Sequence, residues 1–557
     1  MSVRARPLVI ALALVAVVGG VALGATLLGV APWLPASAGP VPHFVDETTS
    51  SGLDFTYDGP FAYAFGGGVA VFDCNGDGRQ DLYIAGGAGS AGLFRNDSQI
   101  GGALRFTRVR DAVTDLDAVN GAYPIDVDGD GNVDLIVLRN GENEALRGLG
   151  DCRFERANQR WGFDGGAQLT EAFSAMWEAG SSRPTLAFGN YAELESNDPS
   201  KLCQPNFLMR PASTGDTFAP PIRLDPGFCA LSMLFSDWDG SGRMDLRISN
   251  DRHYYDPQRG EEQLWRVEPG AAPRLYNADE GWRQVQIEGM GIASQDLNGD
   301  GLPEIYLTSQ AANRLQTLAD GPGRPAYRDI GGLYGVNVAQ PFAGGEHLPS
   351  TAWHPEFEDV NNDGLLDLLV TKGNVTTQPD YAQKDPTNLL LGQPDGTFKE
   401  AADVAGTLTF DRGRGAALAD FNLDGRLDLV EVMYGAPVRL WRNDGPVAGF
   451  LPPPAAGWLG LRIGQPGPNV DAIGAVVEVR PGPSGRVDRR EVTIGGGHVG
   501  GQLGWLHFGL GAAGAAEIRV TWPGGETSDW QRVAANGFYE LERGGAPAPW
   551  APPEGAE

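Results

Sequence analysis

Six short stretches of this 557-residue chain share one spacing of oxygen-bearing side chains. The first runs Asp73-Cys74-Asn75-Gly76-Asp77-Gly78-Arg79-Gln80-Asp81, with Asp73, Asn75, Asp77 and Asp81 at positions one, three, five and nine. The same four positions hold Asp126, Asp128, Asp130 and Asp134 in the second stretch, and Asp237, Asp239, Ser241 and Asp245 in the third. They hold Asp296, Asn298, Asp300 and Glu304 in the fourth, Asp359, Asn361, Asp363 and Asp367 in the fifth, and Asp420, Asn422, Asp424 and Asp428 in the sixth. Carboxylate and amide oxygens are hard donors, and a calcium ion takes six to eight of them at about 2.3–2.6 Å. Interleaved glycines allow positive φ, so the backbone can curl with its oxygens turned inward. A single copy would be an ordinary turn, because Asp, Asn and Gly are common turn residues. Six copies in one register point to Ca2+, about five or six ions in structural roles. The third loop is the weakest, since neutral Ser241 replaces an acid.

Each loop sits between two apolar runs, as Val69–Phe72 and Leu82–Ala85 flank the first. A short hairpin and an aromatic-led strand then follow, as in Leu93-Phe94-Arg95-Asn96 before Phe106 and Leu389-Leu390-Leu391 before Phe398. The first acids of successive loops are 53, 111, 59, 63 and 61 residues apart. The doubled gap predicts a degenerate unit without a metal loop, with strands in Thr185–Glu195 and Asn206–Met209. Seven units of about four strands each predict an all-β chain and a seven-bladed β-propeller. The seventh unit stops at Gly445 without an outer strand, and Phe44-Val45-Asp46-Glu47-Thr48 has the composition to supply it and close the ring.

Residues 1–40 begin with Arg4 and Arg6 and continue as an uncharged apolar run to about Leu34, with Ala36-Ser37-Ala38 as a cleavage-like site. This reads as a signal peptide or a signal anchor, hence a possible N-terminal membrane anchor; either places the remainder outside the cytoplasm. The propeller spans 41–449 and a proline-rich linker 450–457. Residues 458–543, with strands expected at Ala475–Arg480, Arg490–Ile494 and Glu517–Trp522, form a small β-sandwich-like domain, and 544–557 a disordered tail. The formal charge of −29 excludes a nucleic-acid partner, because it repels phosphates. Many of the acids lie in the six loops, so bound calcium would offset part of that charge. Cys74, Cys152, Cys203 and Cys229 lack metal-site spacing. Of three possible pairings, Cys203–Cys229 with Cys74–Cys152 is preferred in an oxidising compartment; four free thiols are the alternative.

The repeats, with Phe65-Gly66-Gly67-Gly68 leading into the Asp73 loop, resemble the FG-GAP and VCBS repeats of integrin α-like propellers. The C-terminal part resembles the ASPIC and UnbV domain. The residues that carry this are Asn469–Ala475, Gly497-His498-Val499-Gly500-Gly501-Gln502, Leu506-His507-Phe508-Gly509-Leu510-Gly511 and Val520-Thr521-Trp522-Pro523-Gly524-Gly525. The combination is similar to the cartilage-acidic-protein-like family and implies a secreted or surface calcium-binding protein, but no activity. An EGF-like module present in vertebrate members is missing after the C-terminal domain.

Three other patterns carry less. Asp420–Glu431 satisfies the EF-hand spacing, but equivalent residues of the other loops are apolar, so Glu431 reads as an outward strand residue. Gly495-Gly496-Gly497-His498-Val499-Gly500 fits a nucleotide-loop pattern without the helix it needs, and reads as a tight turn. Glu346, His347, His354, Glu356 and Glu358 could serve acid–base chemistry, but Gly345 through Pro355 reads as an exposed loop. The expected function is a binding or adhesion module for a protein or glycan ligand. The competing expectation is a polysaccharide- or glycan-acting enzyme with a site on the propeller face.

Overall fold

The computed structural model describes residues 39–194, 202–213, 215–251, 260–338, 351–375, 384–446, 456–483 and 485–552. The expected targeting segment, most of the linker, and Glu195, Glu346 and His347 lie outside the described residues.

Each repeat folds as an antiparallel sheet in which the strand before the acidic loop is buried on both faces. Ala230–Ser236 and Gly413–Ala419 are buried along their whole length. Their small and apolar residues suit a position between two neighbouring sheets, where no side chain can reach water. The second strand is equally buried, as in Asp245–Asn250, whereas outer strands such as Phe106–Val109 turn polar residues to solvent. Seven such sheets occur among the described residues, six of four strands and one of five. The first strands Val69–Phe72, Asp117–Ile125, Thr170–Met176, Ala230–Ser236, Gly289–Gln295, Ala352–Glu358 and Gly413–Ala419 neighbour one another in that order, and the last packs on the first. The chain is therefore a β-propeller.

Pro42–Asp46 pairs with Arg439–Pro446 and supplies the outer strand of the seventh sheet. Phe44 anchors it in the core beside Trp441, and Arg442 Nε donates to Glu47 Oε1 at 3.0 Å. Closure by the N-terminal strand follows the sequence expectation. So does the degenerate unit, whose sheet is Thr170–Met176, Thr185–Asn190, Asn206–Met209 and Ile222–Leu224.

The C-terminal domain stacks two four-stranded sheets around Leu461, Val477, Phe508, Ile518 and Trp522. The strand expected at Arg490–Ile494 is instead Asp488–Glu491. Beyond it the chain leaves the sandwich and enters the axis of the ring. There Ala175 N donates to Ile494 O (3.2 Å), Gly496 N to Met233 O (2.7 Å) and Gly497 N to Ile292 O (2.7 Å). Val71 N donates to Gly501 O (3.0 Å), and Leu503 N returns to Val71 O (3.0 Å). Four first strands thus share backbone hydrogen bonds with this plug, and His498 at its tip is fully buried. A Cβ on Gly68 or Gly121 would lie 1.8 or 1.7 Å from Val499 O, so close backbone approach requires glycine there.

The tail is corrected as far as residue 552: Ala548–Trp550 is a strand paired with Gly537–Glu542. It is ordered because Trp550 packs at a tilt against Trp505 and edge-on against Phe538, with ring centroids 5.0 and 5.8 Å away. Overpacking costs about 1–3 kcal/mol. Gly121→Ala is therefore expected to lower the melting temperature by at least that equivalent, with Gly332→Ala, which meets no atom within 4 Å, as the neutral control.

Candidate metal centres beneath the C-terminal domain

In every acidic loop the first carboxylate gathers the turn around itself. Asp73 accepts from Gly76 N (2.7 Å) and Gly78 N (2.8 Å), and Asp126 from Gly129 N and Gly131 N (both 2.7 Å). Asp296 does the same with Gly299 N (2.7 Å) and Gly301 N (2.9 Å). Gly242, Gly364 and Gly425 N–H groups meet Asp237, Asp359 and Asp420 at 2.7–2.8 Å. The fourth residue of each loop takes positive φ; it is glycine in four loops, Asn362 (59°) in the fifth and Leu423 (55°) in the sixth. At position five, Asp77, Asp130, Asp300, Asp363 and Asp424 each accept with Oδ1 from the N–H two residues on, and Arg79, Arg147 and Arg426 reach the Oδ2 atoms of Asp77, Asp130 and Asp424.

The ninth residue has a second task. Asp81 accepts from Cys74 N and Asn96 N, both at 2.7 Å, so it ties the loop to the third strand of the same sheet. Asp134 repeats this with Val127 N and Gly148 N, Asp367 with Val360 N and Gly392 N, and Asp428 with Phe421 N and Asn443 N. Glu304 reaches Leu297 N and Thr317 Oγ1. These carboxylates are buried, and burial raises the pKa of Asp81, Asp134, Asp367 and Asp428 well above the usual range, with the neighbouring loop acids adding to it. Burial and Asp424 push Asp420 up to about 8, and burial raises Asp126 to about 6.

Asp126, Asp128 and Asp130 each bring an oxygen within 4.8 Å of the others. Asp128 Oδ1 and Asn422 Oδ1, both at position three, are buried without a hydrogen-bond partner among the described residues. Such an orphaned oxygen costs about 1–3 kcal/mol unless something coordinates it. Clustered carboxylates with an unpartnered third oxygen fit a hard divalent cation. The third loop differs in that a guanidinium reaches its position-nine acid. Asp245 receives Arg243 Nη2 (3.1 Å) and Nε (3.2 Å), Trp238 Nε1 (2.9 Å) and Tyr276 Oη (2.7 Å). A guanidinium and two neutral donors already satisfy its position-nine acid.

All six loops lie under the C-terminal domain. Trp505 Nε1 donates to Gly78 O (2.9 Å) in the first, and a Cβ on Gly129 of the second would meet Pro468 at 3.0 Å. Asp237 N of the third donates to Glu491 Oε1 (2.8 Å), and Arg486 Nη2 to Leu297 O of the fourth (2.9 Å). His507 Nε2 is 2.6 Å from Asn362 Oδ1 of the fifth, and a Cβ on Gly425 of the sixth would fall 1.9 Å from the Trp458 ring. Burial, then Arg490, drops His507 to about 3, so it meets Asn362 as a neutral ring.

The FG-GAP-like repeat model matches residues 73–137, 296–370 and 359–431, and the ASPIC and UnbV model matches 465–548. The chain belongs to the cartilage-acidic-protein-like family of FG-GAP-repeat proteins with a C-terminal ASPIC and UnbV domain. It is 23% identical to cartilage acidic protein 1 of Mus musculus over 485 residues, covering 82% of this chain and 70% of that protein. The match to the Homo sapiens protein is 24% over 309 residues, 44% of this chain and 45% of that one. Among solved structures, a lectin of Agrocybe aegerita described as recognising non-reducing terminal N-acetylglucosamine has a TM-score of 0.37 and 15% identity, covering 68% of this chain and 94% of its own. Sqt1 of Saccharomyces cerevisiae has a TM-score of 0.36 and 9% identity, covering 74% and 100%.

Two readings of this family member need correction. Glu431 is not outward: it is fully buried, and Thr387 Oγ1 donates to it at 2.5 Å, because the second strand is enclosed by adjoining sheets. Residues 351–355 are not an exposed loop either. Ala352–Glu358 is the first strand of the sixth sheet, and buried His354 accepts from His498 N at 3.2 Å. Glu356 holds Gln502 Nε2 (2.5 Å), and Glu358 holds Arg490 Nη1 (2.6 Å). These residues secure the plug. The glycine-rich turn is the plug itself, which an isolated GxGxxG pattern could not reveal. The disulfides are Cys74–Cys152 and Cys203–Cys229. Trp505, Glu491 and His507 read the loops, and only docking makes them neighbours of the acids, which no local pattern around them signals.

Burial raises Glu431 to about 8. A carboxyl with a folded pKa above its unfolded value favours folding fully below the unfolded value, and that contribution is lost as pH rises through about 8. Glu431→Gln keeps the acceptor for Thr387, so its melting temperature should match the parent near pH 4.5 and exceed it increasingly up to pH 9. Calorimetry should count the same calcium stoichiometry in both; loss of one ion would make Glu431 a ligand.

Proposed function

We propose that this is an extracytoplasmic, calcium-stapled, seven-bladed propeller that serves as a binding module for a protein or glycan. The observation that carries the reading is that all six acidic loops are covered by the C-terminal domain. Ions there would sit between two domains of one chain, out of reach of a large ligand, and their role is structural. Asp73, Asn75, Asp77 and Asp81 would hold the first ion, and the equivalent sets of loops two, four, five and six the others. Arg243 favours five strong sites over six, with the third loop closed by its own guanidinium. When bound, calcium supplies charge neutralisation for the buried acids and no chemistry. The ligand face is then the opposite rim, where the first strands begin. Family membership supports the extracytoplasmic location.

A polysaccharide-acting enzyme is the second reading, and the placement of His354 weighs against it. Its Nδ1 accepts from the plug and its Nε2 lies 3.3 Å from Glu356, so neither nitrogen faces a substrate. Metal that binds only the folded state adds about 2.7 kcal/mol per site at a hundredfold excess over Kd. Chelator is expected to lower the melting temperature of the chain by tens of degrees, and Asp363→Ala to remove one calcium from the calorimetric count. An unchanged count would displace Asp363 from the ligand set, and unchanged melting would remove calcium from the structural role.

A further inference from the structure

The rim opposite the acidic loops holds a cavity of about 220 Å³ at the axis of the ring. Its walls are aromatic and aliphatic, led by Phe61, Phe65 and Trp353. Phe61 is 41% exposed at the mouth and packs edge-on against Phe65, whose ring centroid is 5.2 Å away. Trp353 is fully buried and its indole N–H is committed to Gly373 O at 2.7 Å, so it offers the cavity only ring carbon.

Four polar side chains interrupt this surface, Gln310 among them. Asp251, Thr351 and Asn374 line the cavity and are 4%, 1% and 1% exposed. Asp251 Oδ1, Thr351 Oγ1 and Asn374 Nδ2 have no hydrogen-bond partner among the described residues. Elsewhere on these residues the bonds are made: Tyr191 Oη donates to Asp251 Oδ2 at 2.7 Å, and Val375 N to Asn374 Oδ1 at 2.7 Å. One edge of Asp251 and one of Asn374 are therefore fixed by the protein, and the unpartnered atoms belong to side chains that line the cavity. Buried polar atoms left in this state are costly, and a purely apolar guest would leave all three unsatisfied.

We propose that this cavity binds a neutral sugar ring, free or at the end of a glycan, with its C–H face on the aromatic wall and its hydroxyls on Asp251, Thr351 and Asn374. A pyranose has both halves of this chemistry: one face of C–H bonds for the negative face of an aromatic ring, and an edge of hydroxyls that donate and accept. Asn374 Nδ2 needs an acceptor, and Thr351 Oγ1 takes either role. Burial raises Asp251 to about 8, which lets its carboxyl donate at neutral pH. No Lys, Arg or His is among the described residues lining the cavity, so nothing there would recognise a carboxylate or phosphate. The size suits one ring rather than an oligosaccharide. The Cys203–Cys229 bridge stands at the wall, where Leu202 lines the cavity and Cys229 packs with Phe65 and Trp353. This inference rests on the binding-module reading and names its ligand.

Saturation-transfer NMR on the full calcium-loaded chain tests it, with methyl glycosides of neutral hexoses and N-acetylhexosamines as probes and sialic acid as the charged control. At least one neutral glycoside is expected to bind and sialic acid is not. Phe61→Ala, at an exposed position, should weaken binding about tenfold by removing the stacking plate. Isosteric Thr351→Val should weaken it several-fold, with melting unchanged in both variants. Comparison with an oligosaccharide ending in the same sugar separates the sources: equal or tighter binding points to a glycan end, weaker binding to the free monosaccharide. No binding by any neutral glycoside overturns the proposal. Binding that survives both substitutions also overturns it, by moving the site elsewhere, but leaves the module reading intact. The calcium-stapled part of that reading fails separately, if calcium removal leaves melting unchanged.

Discussion

The backbone hydrogen bonds between residues 494–503 and the first strands of the ring are the constraint on which the rest of the molecule depends. A ring of twisted sheets leaves an axis that its own side chains must fill or leave wet. Here the filling comes from another domain, as extended backbone. That choice explains several otherwise costly residues. Glycines stand in first strands because a Cβ would strike the plug, and His498 is carried to the axis, where burial and then Arg414 lower its pKa to about 3. Arg414 spans the same region, donating to Ala64 O and Gly373 O at 2.7 and 2.9 Å and lying 4.2 Å from the Trp353 ring centroid.

Seating the plug also fixes what covers the acidic loops. The sandwich can enter the axis only from the side on which it stands, and that is the loop side. The two halves of the protein are thus coupled by charge as well as by backbone. A domain resting on clustered buried carboxylates pays for their desolvation unless a cation is present. In the third loop the cation is Arg243, supplied by the chain. The disulfide Cys74–Cys152 crosses from the first loop to the second sheet, so two adjacent repeats are held covalently where the covering domain rests.

Repeat structure was legible because each sheet contains its own loop, strand and hairpin, all within about 60 residues and all encoded by local pattern. The same locality made the degenerate third unit visible from spacing, and Phe44 gave the closing strand away by its resemblance to Phe398. The failures share one cause. From neighbours in sequence Glu431 reads as outward and residues 351–355 as a loop, whereas their burial comes from adjoining sheets and from the plug. The Pro, Gly and Ala surroundings of Trp550 read as a disordered tail; its order comes from Trp505, Phe538 and the first loop.

By itself, then, the sequence determined the all-β class, the number and positions of the acidic loops, the closing strand and the change of character after residue 457, since turn chemistry, strand alternation and repeat spacing act over short stretches. Tertiary structure alone decided that a glycine-rich turn fills the axis, that the loops are covered, and that Asp251, Thr351 and Asn374 meet at the opposite mouth. Asp251 follows the second strand of the fourth sheet, whereas Thr351 and Asn374 flank the first two strands of the sixth. Only ring closure, which brings the ends of strands 100 residues apart to one axis, makes them neighbours.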